Sequence, residues 1–168
     1  MDLLVVRHAI AEERAVFGKT GKDDGERPLT DAGRKRFEKG ARGLQRLVPE
    51  IELLATSTLV RATQTGELLA DAFGGIRTVR LAELAPDEAP EALVPWLRAQ
   101  RRRGVVAIVG HEPHLSGLIE LLLTGRRSGF VDLKKGGACL LAVTKAAAAG
   151  GAELRWLLTA GQLRRIAR

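Results

Sequence analysis

The chain has 168 residues, the length of one ordinary domain, and 45% of them are hydrophobic, enough to form a core without disulfide or metal support. The single cysteine excludes an internal disulfide and favours a reducing, cytoplasmic setting, and the apolar runs are too short to span a membrane. The excess of basic residues behind the net charge of +7 lies from Arg101 onward; we interpret it as a solvated basic surface, because the chain has no recognisable nucleic-acid-binding module.

The first predicted elements are a strand, a loop and a helix. The apolar run Leu3–Val6 predicts a short buried strand, and the polar stretch Glu12–Arg27 predicts a long loop. A helix should then begin after Thr30, whose hydroxyl suits an N-cap, with Asp31 near the positive end of the helix dipole. Pro49 should end it.

The same alternation of strands and helices continues to the C-terminus. It predicts a single three-layer α/β/α sandwich with a mostly parallel sheet, formed by residues 1–168 as one domain. The further predicted strands are Ile51–Ala55, Arg77–Leu81, Val105–Val109, Ala138–Val143 and Leu154–Leu158, and the further helices are Leu59–Phe73, Glu91–Arg103 and Leu115–Leu123.

Three of these strands are followed by polar residues that suit phosphate chemistry. Ligands of such folds bind beyond the carboxyl ends of the strands, so residues at the ends of parallel strands should share one crevice. The residues are Arg7-His8-Ala9 after the first strand, Ser57 and Arg61 after the second, and Gly110-His111 after the fourth.

These residue types can together perform phosphoryl transfer. A neutral imidazole such as that of His8 can attack phosphorus and accept the phosphoryl group. The guanidinium groups of Arg7 and Arg61 can each grip two phosphate oxygens, and a protonated His111 would add positive charge. The helix after His111 should point free backbone N–H groups at the anion.

The order and spacing of these segments resemble the histidine phosphatase superfamily. Three segments match its signature stretches and a fourth resembles a further recurring stretch, although Ala9 stands where glycine is usual. The segments are Arg7-His8-Ala9, Ser57 with Arg61-Ala62-Thr63-Gln64-Thr65, Gly110-His111, and Arg27-Pro28-Leu29-Thr30-Asp31-Ala32-Gly33. The resemblance implies a phosphoglycerate mutase-like fold, a phosphorylated nucleophile at His8, and a phosphate pocket completed by Arg7, Arg61 and His111.

Within that superfamily the short chain is similar to the SixA-like phosphohistidine phosphatases, since there is no room for an inserted helical cap after Arg61. The resemblance implies that Glu83, after the third strand, is the candidate general acid. We further expect Arg27 and Ser57 to contact substrate. The leading substrate is a phosphohistidine on a signalling protein, and we expect a monomer.

Other interpretations stay open at this point. Taken singly, each of these residues could be structural, and His114 is more simply a supporting residue than a catalytic one. No cofactor or metal is expected, because the three histidines lack clustered carboxylates or thiols. The alternatives are a phosphatase for a small phosphorylated metabolite, a phosphate-binding module without turnover and, on charge alone, a nucleic-acid-binding protein.

Overall fold

A computed structural model describes residues 1–144 and 148–168, which contain six strands in one sheet. Along the sheet the strands run in the order β3-β2-β4-β1-β5-β6. The first four in that order are mutually parallel, and β5 is antiparallel to both of its neighbours. The strands are β1 (Asp2–Arg7), β2 (Leu53–Thr56), β3 (Thr78–Arg80), β4 (Val105–Gly110), β5 (Ala138–Val143) and β6 (Ala152–Leu158).

Helices cover both faces of this sheet, as the alternating pattern predicted. They are α1 (Arg14–Gly18), α2 (Asp31–Leu47), α3 (Val60–Ala72), α4 (Val94–Ala99), α5 (His114–Thr124) and α6 (Ala160–Ile166), with 3-10 turns at Asp24–Glu26, Ala82–Leu84 and Pro90–Leu93. Thr30 caps α2 as expected, since its hydroxyl accepts a hydrogen bond from the Gly33 amide at 2.9 Å.

Two apolar clusters fill the space between the sheet and the helices. In β1, Leu4 and Val6 pack into one cluster, and Leu3 and Val5 pack into the other on the opposite face. All four are fully buried. A strand covered on both faces needs apolar residues at every position, which explains the unbroken run that predicted it. Among the described residues, no helix is long and apolar enough to cross a membrane.

Three helical segments differ from the sequence-based expectation. Helix α1 forms within the stretch predicted as a loop, where it buries Phe17. Helix α6 was not predicted; Thr159 and Gln162 form a reciprocal capping box at its start. The predicted helix Glu91–Arg103 is instead a 3-10 turn followed by the separate helix α4, which ends at Ala99. The two segments are not one continuous helix because Pro95 lacks the N–H that such a helix would use.

Candidate active site

The pairing of β1 with β4 brings two histidines together at the carboxyl edge of the sheet. Arg7 is aligned with Gly110, and the next residue, His8, donates its amide to the Gly110 carbonyl at 3.0 Å. His8 and His111 therefore leave the two strands side by side, and their ring centroids lie 5.1 Å apart. Both residues are almost fully buried.

One ring nitrogen of His8 is fixed by the backbone, as expected for a nucleophile. Nδ1 lies 2.7 Å from the carbonyl oxygen of Ala9, which can only accept a hydrogen bond. Nδ1 must therefore carry the proton, and Nε2 keeps its lone pair. The turn that carries the ring is held in place by Thr65, whose hydroxyl accepts from the Ala9 amide at 3.0 Å and donates to the Arg61 carbonyl at 2.7 Å.

The segment Arg61–Thr65 organises the surrounding loops as well as the pocket. The Gln64 side-chain oxygen accepts from the Leu29 amide at 2.8 Å, and so ties α3 to the stretch before α2. That stretch pairs with the residues after His8, through the Thr30 amide and the Ile10 carbonyl at 3.0 Å. These contacts give a structural reason why the segments Arg61–Thr65 and Arg27–Gly33 both stood out in the sequence.

Gly33 is required where α2 passes the loop after His8. A Cβ atom at this position would lie 2.1 Å from the carbonyl oxygen of Ile10. No side chain could be accommodated there without moving Ile10, two residues after His8.

A single carboxylate holds three arginines at the edge of the pocket. Asp24 Oδ2 lies 3.3 Å from Arg61 Nη2 and 3.2 Å from Arg14 Nη2, and its Oδ1 lies 2.8 Å from Arg27 Nε. Its backbone carbonyl accepts a further bond from Arg61 Nη1 at 2.9 Å. The cations lower the pKa of Asp24 to about 2, the hydrogen bond from Arg27 being the largest cause. Arg27 thus lies beside Arg61, where its expected contact with substrate remains a prediction.

Four buried nitrogens of the pocket residues lack partners in the described part of the chain. Arg7 Nη1 donates to the Leu133 carbonyl at 2.9 Å. Within residues 1–144 and 148–168, however, Arg7 Nε, Arg61 Nε and both ring nitrogens of His111 make no hydrogen bond. Buried polar atoms are almost always paired, and leaving one unpaired costs about 1–3 kcal/mol. A tetrahedral oxyanion beside His8 could accept hydrogen bonds from these groups.

Burial keeps His8 neutral. The pKa of His8 falls from 6.5 to about 3: burial is the largest cause, the hydrogen bond to Ala9 opposes it, and the positive charges of Arg61, Arg7 and Lys135 add to it. Both arginines of the candidate pocket therefore favour the neutral form of His8, although burial is the larger cause. A neutral imidazole is the nucleophilic form.

His111 differs from the expectation of a protonated histidine. Burial lowers its pKa from 6.5 to about 2, helped by the neighbouring His8, Arg61, His114 and Arg7. The protein surroundings of His111 therefore favour its neutral form. A bound dianion would favour its protonated form.

These depressed pKa values predict that the protein loses stability on mild acidification. The unfolded chain takes up protons near pH 6.5, whereas folded His8 and His111 do not until about pH 3 and 2. The free energy of unfolding should therefore fall by roughly 2 kcal/mol for each histidine between pH 7.5 and 5. Burial also lowers the pKa of His114, which adds to the loss, and raises that of Glu112, which opposes it.

Urea denaturation at several pH values measures this slope. The variant His8→Asn should show a shallower dependence, because one of the groups is gone. Sulfate, a dianion throughout this range, should stabilise the wild-type protein more at pH 5 than at pH 7.5. Stability that is flat or rises towards pH 5 would contradict the assignment of buried neutral histidines.

Two further predicted site residues lie close by. Glu83 is half-buried on the 3-10 turn after β3, and its neighbour Leu84 packs its carbonyl near Gly110 at the end of β4. Ser57 is fully buried after β2, where its hydroxyl accepts from the Leu59 amide at 3.4 Å. That contact supports the turn into α3, so the roles of Glu83 and Ser57 toward substrate remain predictions.

Sequence reasoning missed the roles of three residues that shape the site. Nothing in the sequence context of Asp24 marks it, whereas Thr65 lies in the segment Arg61–Thr65 that resembles a family signature, although no role was expected for it. Lys135 is exposed in the turn before β5, close enough to lower the pKa of His8. The signal that could have found it is the adjacent pair Gly136-Gly137, since the Gly136 amide donates to the carbonyls of Arg7 and His8 at 3.1 Å.

The part of the chain that the structure describes contains no group of three His, Cys, Asp or Glu residues that could hold a metal ion.

Known proteins match both the sequence and the fold. The model of the histidine phosphatase superfamily (branch 1) matches residues 3–86. An uncharacterized protein of Picosynechococcus sp. (strain ATCC 27264 / PCC 7002 / PR-6) is 36% identical over 139 residues, 82% of each chain.

Solved structures show the same architecture. The protein histidine phosphatase SixA, complexed with tungstate, has a TM-score of 0.83 and 23% identity over 97% of this chain and 99% of that one. The alpha-ribazole phosphatase of Shigella flexneri has a TM-score of 0.70 and 17% identity over 95% and 97%. A mutant phosphoserine phosphatase of Entamoeba histolytica, complexed with phosphoserine, has a TM-score of 0.65 and 13% identity over 95% and 97%. The phosphoglycerate mutase-like fold expected from the sequence is confirmed.

Proposed function

Since the chain belongs to the histidine phosphatase superfamily, we propose that it hydrolyses a phosphoramidate or phosphomonoester through a phosphohistidine on His8. The observation that carries this proposal is the group of buried nitrogens near His8 that have no hydrogen-bond partner among the described residues. Nε2 of His8 is free, and Arg7, Arg61 and His111 lie beside it with N–H groups that the described residues leave unsatisfied.

The reaction proceeds in two displacements. In the first, His8 Nε2 bonds to phosphorus while the bond from phosphorus to the leaving oxygen or nitrogen breaks; a leaving oxygen takes its proton from Glu83, the proposed general acid, and a leaving nitrogen is protonated beforehand. In the second, water attacks phosphorus and loses a proton to the Glu83 carboxylate, the bond to Nε2 breaks, and inorganic phosphate leaves. Arg7 and Arg61 stabilise the negative charge of the equatorial oxygens in both steps, and His111 does so once the anion favours its protonation.

The leading substrate is a phosphohistidine on a cytoplasmic signalling protein, hydrolysed by a monomer. The SixA structure, a protein histidine phosphatase, supports this choice by its similarity over nearly the whole of both chains. A small phosphorylated metabolite is the second candidate, favoured by the folds of the alpha-ribazole and phosphoserine phosphatases. A phosphate-binding module without turnover is disfavoured, because a binder would not need the fixed tautomer of His8.

A turnover panel tests the proposal, and it predicts metal-independent activity. Phosphohistidine protein, phosphoramidate, and sugar and nucleotide phosphates are compared before and after exhaustive chelation. We expect the highest kcat/KM on phosphohistidine protein and no loss on chelation, because the proposed nucleophile is a side chain and the pocket cations are arginines. Activity that disappears and returns with one divalent ion would contradict the mechanism, and a preference for a metabolite would contradict the leading substrate.

The role proposed for Glu83 as general acid predicts a difference between substrate classes. In Glu83→Gln, an alkyl phosphomonoester should lose roughly 10²–10⁴-fold in kcat/KM, because its poor leaving group needs a proton. A phosphoramidate should lose much less, since its nitrogen can be protonated beforehand. Equal losses on both substrates, with unchanged thermal stability, would show that Glu83 positions other groups instead.

A further inference from the structure

A second cavity, of about 340 Å³, opens beside the phosphate pocket at the start of α5. The cavity is lined by α5 with the residues before it, by the loop before β5, and by residues of the stretch Pro86–Pro90. The loop before β5 is held by Glu120 of α5, which is fully buried and accepts hydrogen bonds from the amides of Ser128, Gly129 and Val131 at 2.6–2.8 Å. Such a loop is held in a defined shape before any ligand binds.

Two polar side chains at the start of α5 are not fully satisfied. His114 is 2% exposed and lines the cavity; one ring nitrogen interacts with the backbone of Glu83, and the other has no hydrogen-bond partner in the described part of the chain. Glu112 also lines the cavity. Its Oε2 accepts from the Ser116 hydroxyl, while its buried Oε1 has no partner among residues 1–144 and 148–168.

Two of the other charged groups around the cavity, Arg127 and Glu120, are already paired. Arg127 lies 3.4 Å from Glu91, and Glu120 is committed to the backbone amides. The rest of the lining is largely apolar or small and comprises Pro86, Pro90, Pro113, Gly117, Gly129 and Val131, with the exposed Glu88 at the edge. An acceptor-rich spot in an apolar wall suits a ligand that brings hydrogen-bond donors and positive charge on a short aliphatic stem.

The cavity adjoins the phosphate pocket through consecutive residues. Glu112 directly follows His111, and Arg7 is close enough to influence the pKa of Glu112. His114 is similarly close enough to influence the pKa of His111. One molecule could therefore place its phosphoryl group beside His8 and extend into the cavity.

We propose that this cavity is a subsite for the part of the substrate beyond the phosphoryl group, and that Glu112 and His114 select a cationic nitrogen there. The inference rests on the proposed phosphate site and deepens it, since it names a substrate class: phosphorylated molecules with an ammonium or guanidinium group near the phosphate. In a protein substrate, this group would be a lysine or arginine side chain next to the phosphorylated residue.

Phosphonates, which cannot be hydrolysed, test the subsite without depending on turnover. Isothermal titration calorimetry compares ω-aminoalkylphosphonates of two to five carbons with alkylphosphonates in which a methyl group replaces the ammonium. At the length that reaches Glu112, the amine should bind about 10-fold more tightly, because hydrogen bonds to charged groups are the stronger kind. Equal affinities at every length would overturn the inference, while binding of both series would still support the phosphate site.

Variants assign the effect to Glu112. Glu112→Gln should reduce the amine preference to within about twofold and leave the affinity of the alkyl series unchanged. The control Glu153→Gln removes the same charge from an exposed position on β6 and should keep the full preference, because distant exposed charges are screened. A preference that survives Glu112→Gln, or falls equally in Glu153→Gln, would overturn the assignment. Failure of both series to bind would contradict the phosphate site and the subsite together.

Discussion

Replacing His8 with alanine should reduce turnover by about 10⁴–10⁶-fold, the range expected when a covalent nucleophile is removed. The reason is that the proposed route needs a bond between phosphorus and Nε2, and none of the pocket arginines can form one. When the reaction with a labelled substrate is quenched without acid, the wild-type protein should carry an acid-labile, base-stable label. Mass spectrometry should map this label to His8. The variant His8→Ala should carry no label.

Vanadate binding serves as the control for the integrity of the pocket. Arg7, Arg61 and His111 keep their unpartnered nitrogens when the His8 ring is removed, so His8→Ala should still bind the oxyanion. Near-normal turnover by a variant that binds vanadate would place the nucleophile elsewhere and refute the proposed mechanism. A label on another residue would do the same.

The sheet, and the clustering of His8 and His111 in the candidate site, were largely predictable from the sequence, because both depend on local patterns. The apolar runs of β1 and β4 are unbroken, since both strands are buried on both faces. Parallel pairing then places the residues that follow them at one edge, which is how His8 and His111 come to lie 5.1 Å apart. The strand Ala138–Val143 was predicted with its observed bounds.

The supporting residues could not be predicted, because their roles depend on contacts distant in sequence. Thr65 reaches Ala9 across 56 positions, and Asp24 reaches Arg61 across 37. The neutral state of His111 likewise follows from burial, which no motif reports. The cavity beside Glu112 depends on a loop that Glu120 holds in place. A carboxylate that accepts hydrogen bonds from backbone amides has no signature in the sequence.

Arg61 is an example of a side chain whose orientation is set by a contact distant in sequence. Asp24 occupies two of its nitrogens, Nη1 through the backbone carbonyl and Nη2 through the carboxylate. Nε is left buried without a partner in the described residues. The guanidinium is thus fixed in orientation before substrate binds, and a preorganised cation costs little to use in the transition state.

Arg61→Ala should therefore reduce kcat/KM by about 10³–10⁵-fold, the range that a transition-state arginine contributes to phosphoryl transfer. Arg61→Lys should recover only part of this, because an ammonium cannot contact Asp24 and the phosphoryl oxygens in the same fork geometry. Steady-state kinetics and vanadate binding measure both effects.

The matched control is Arg80→Ala, which removes an exposed arginine on β3 and should change kcat/KM by less than about twofold. The fold should survive in Arg61→Ala, since Asp24 keeps Arg14 and Arg27. Full activity in Arg61→Lys would show that only the charge of Arg61 matters and that its fixed orientation by Asp24 does not.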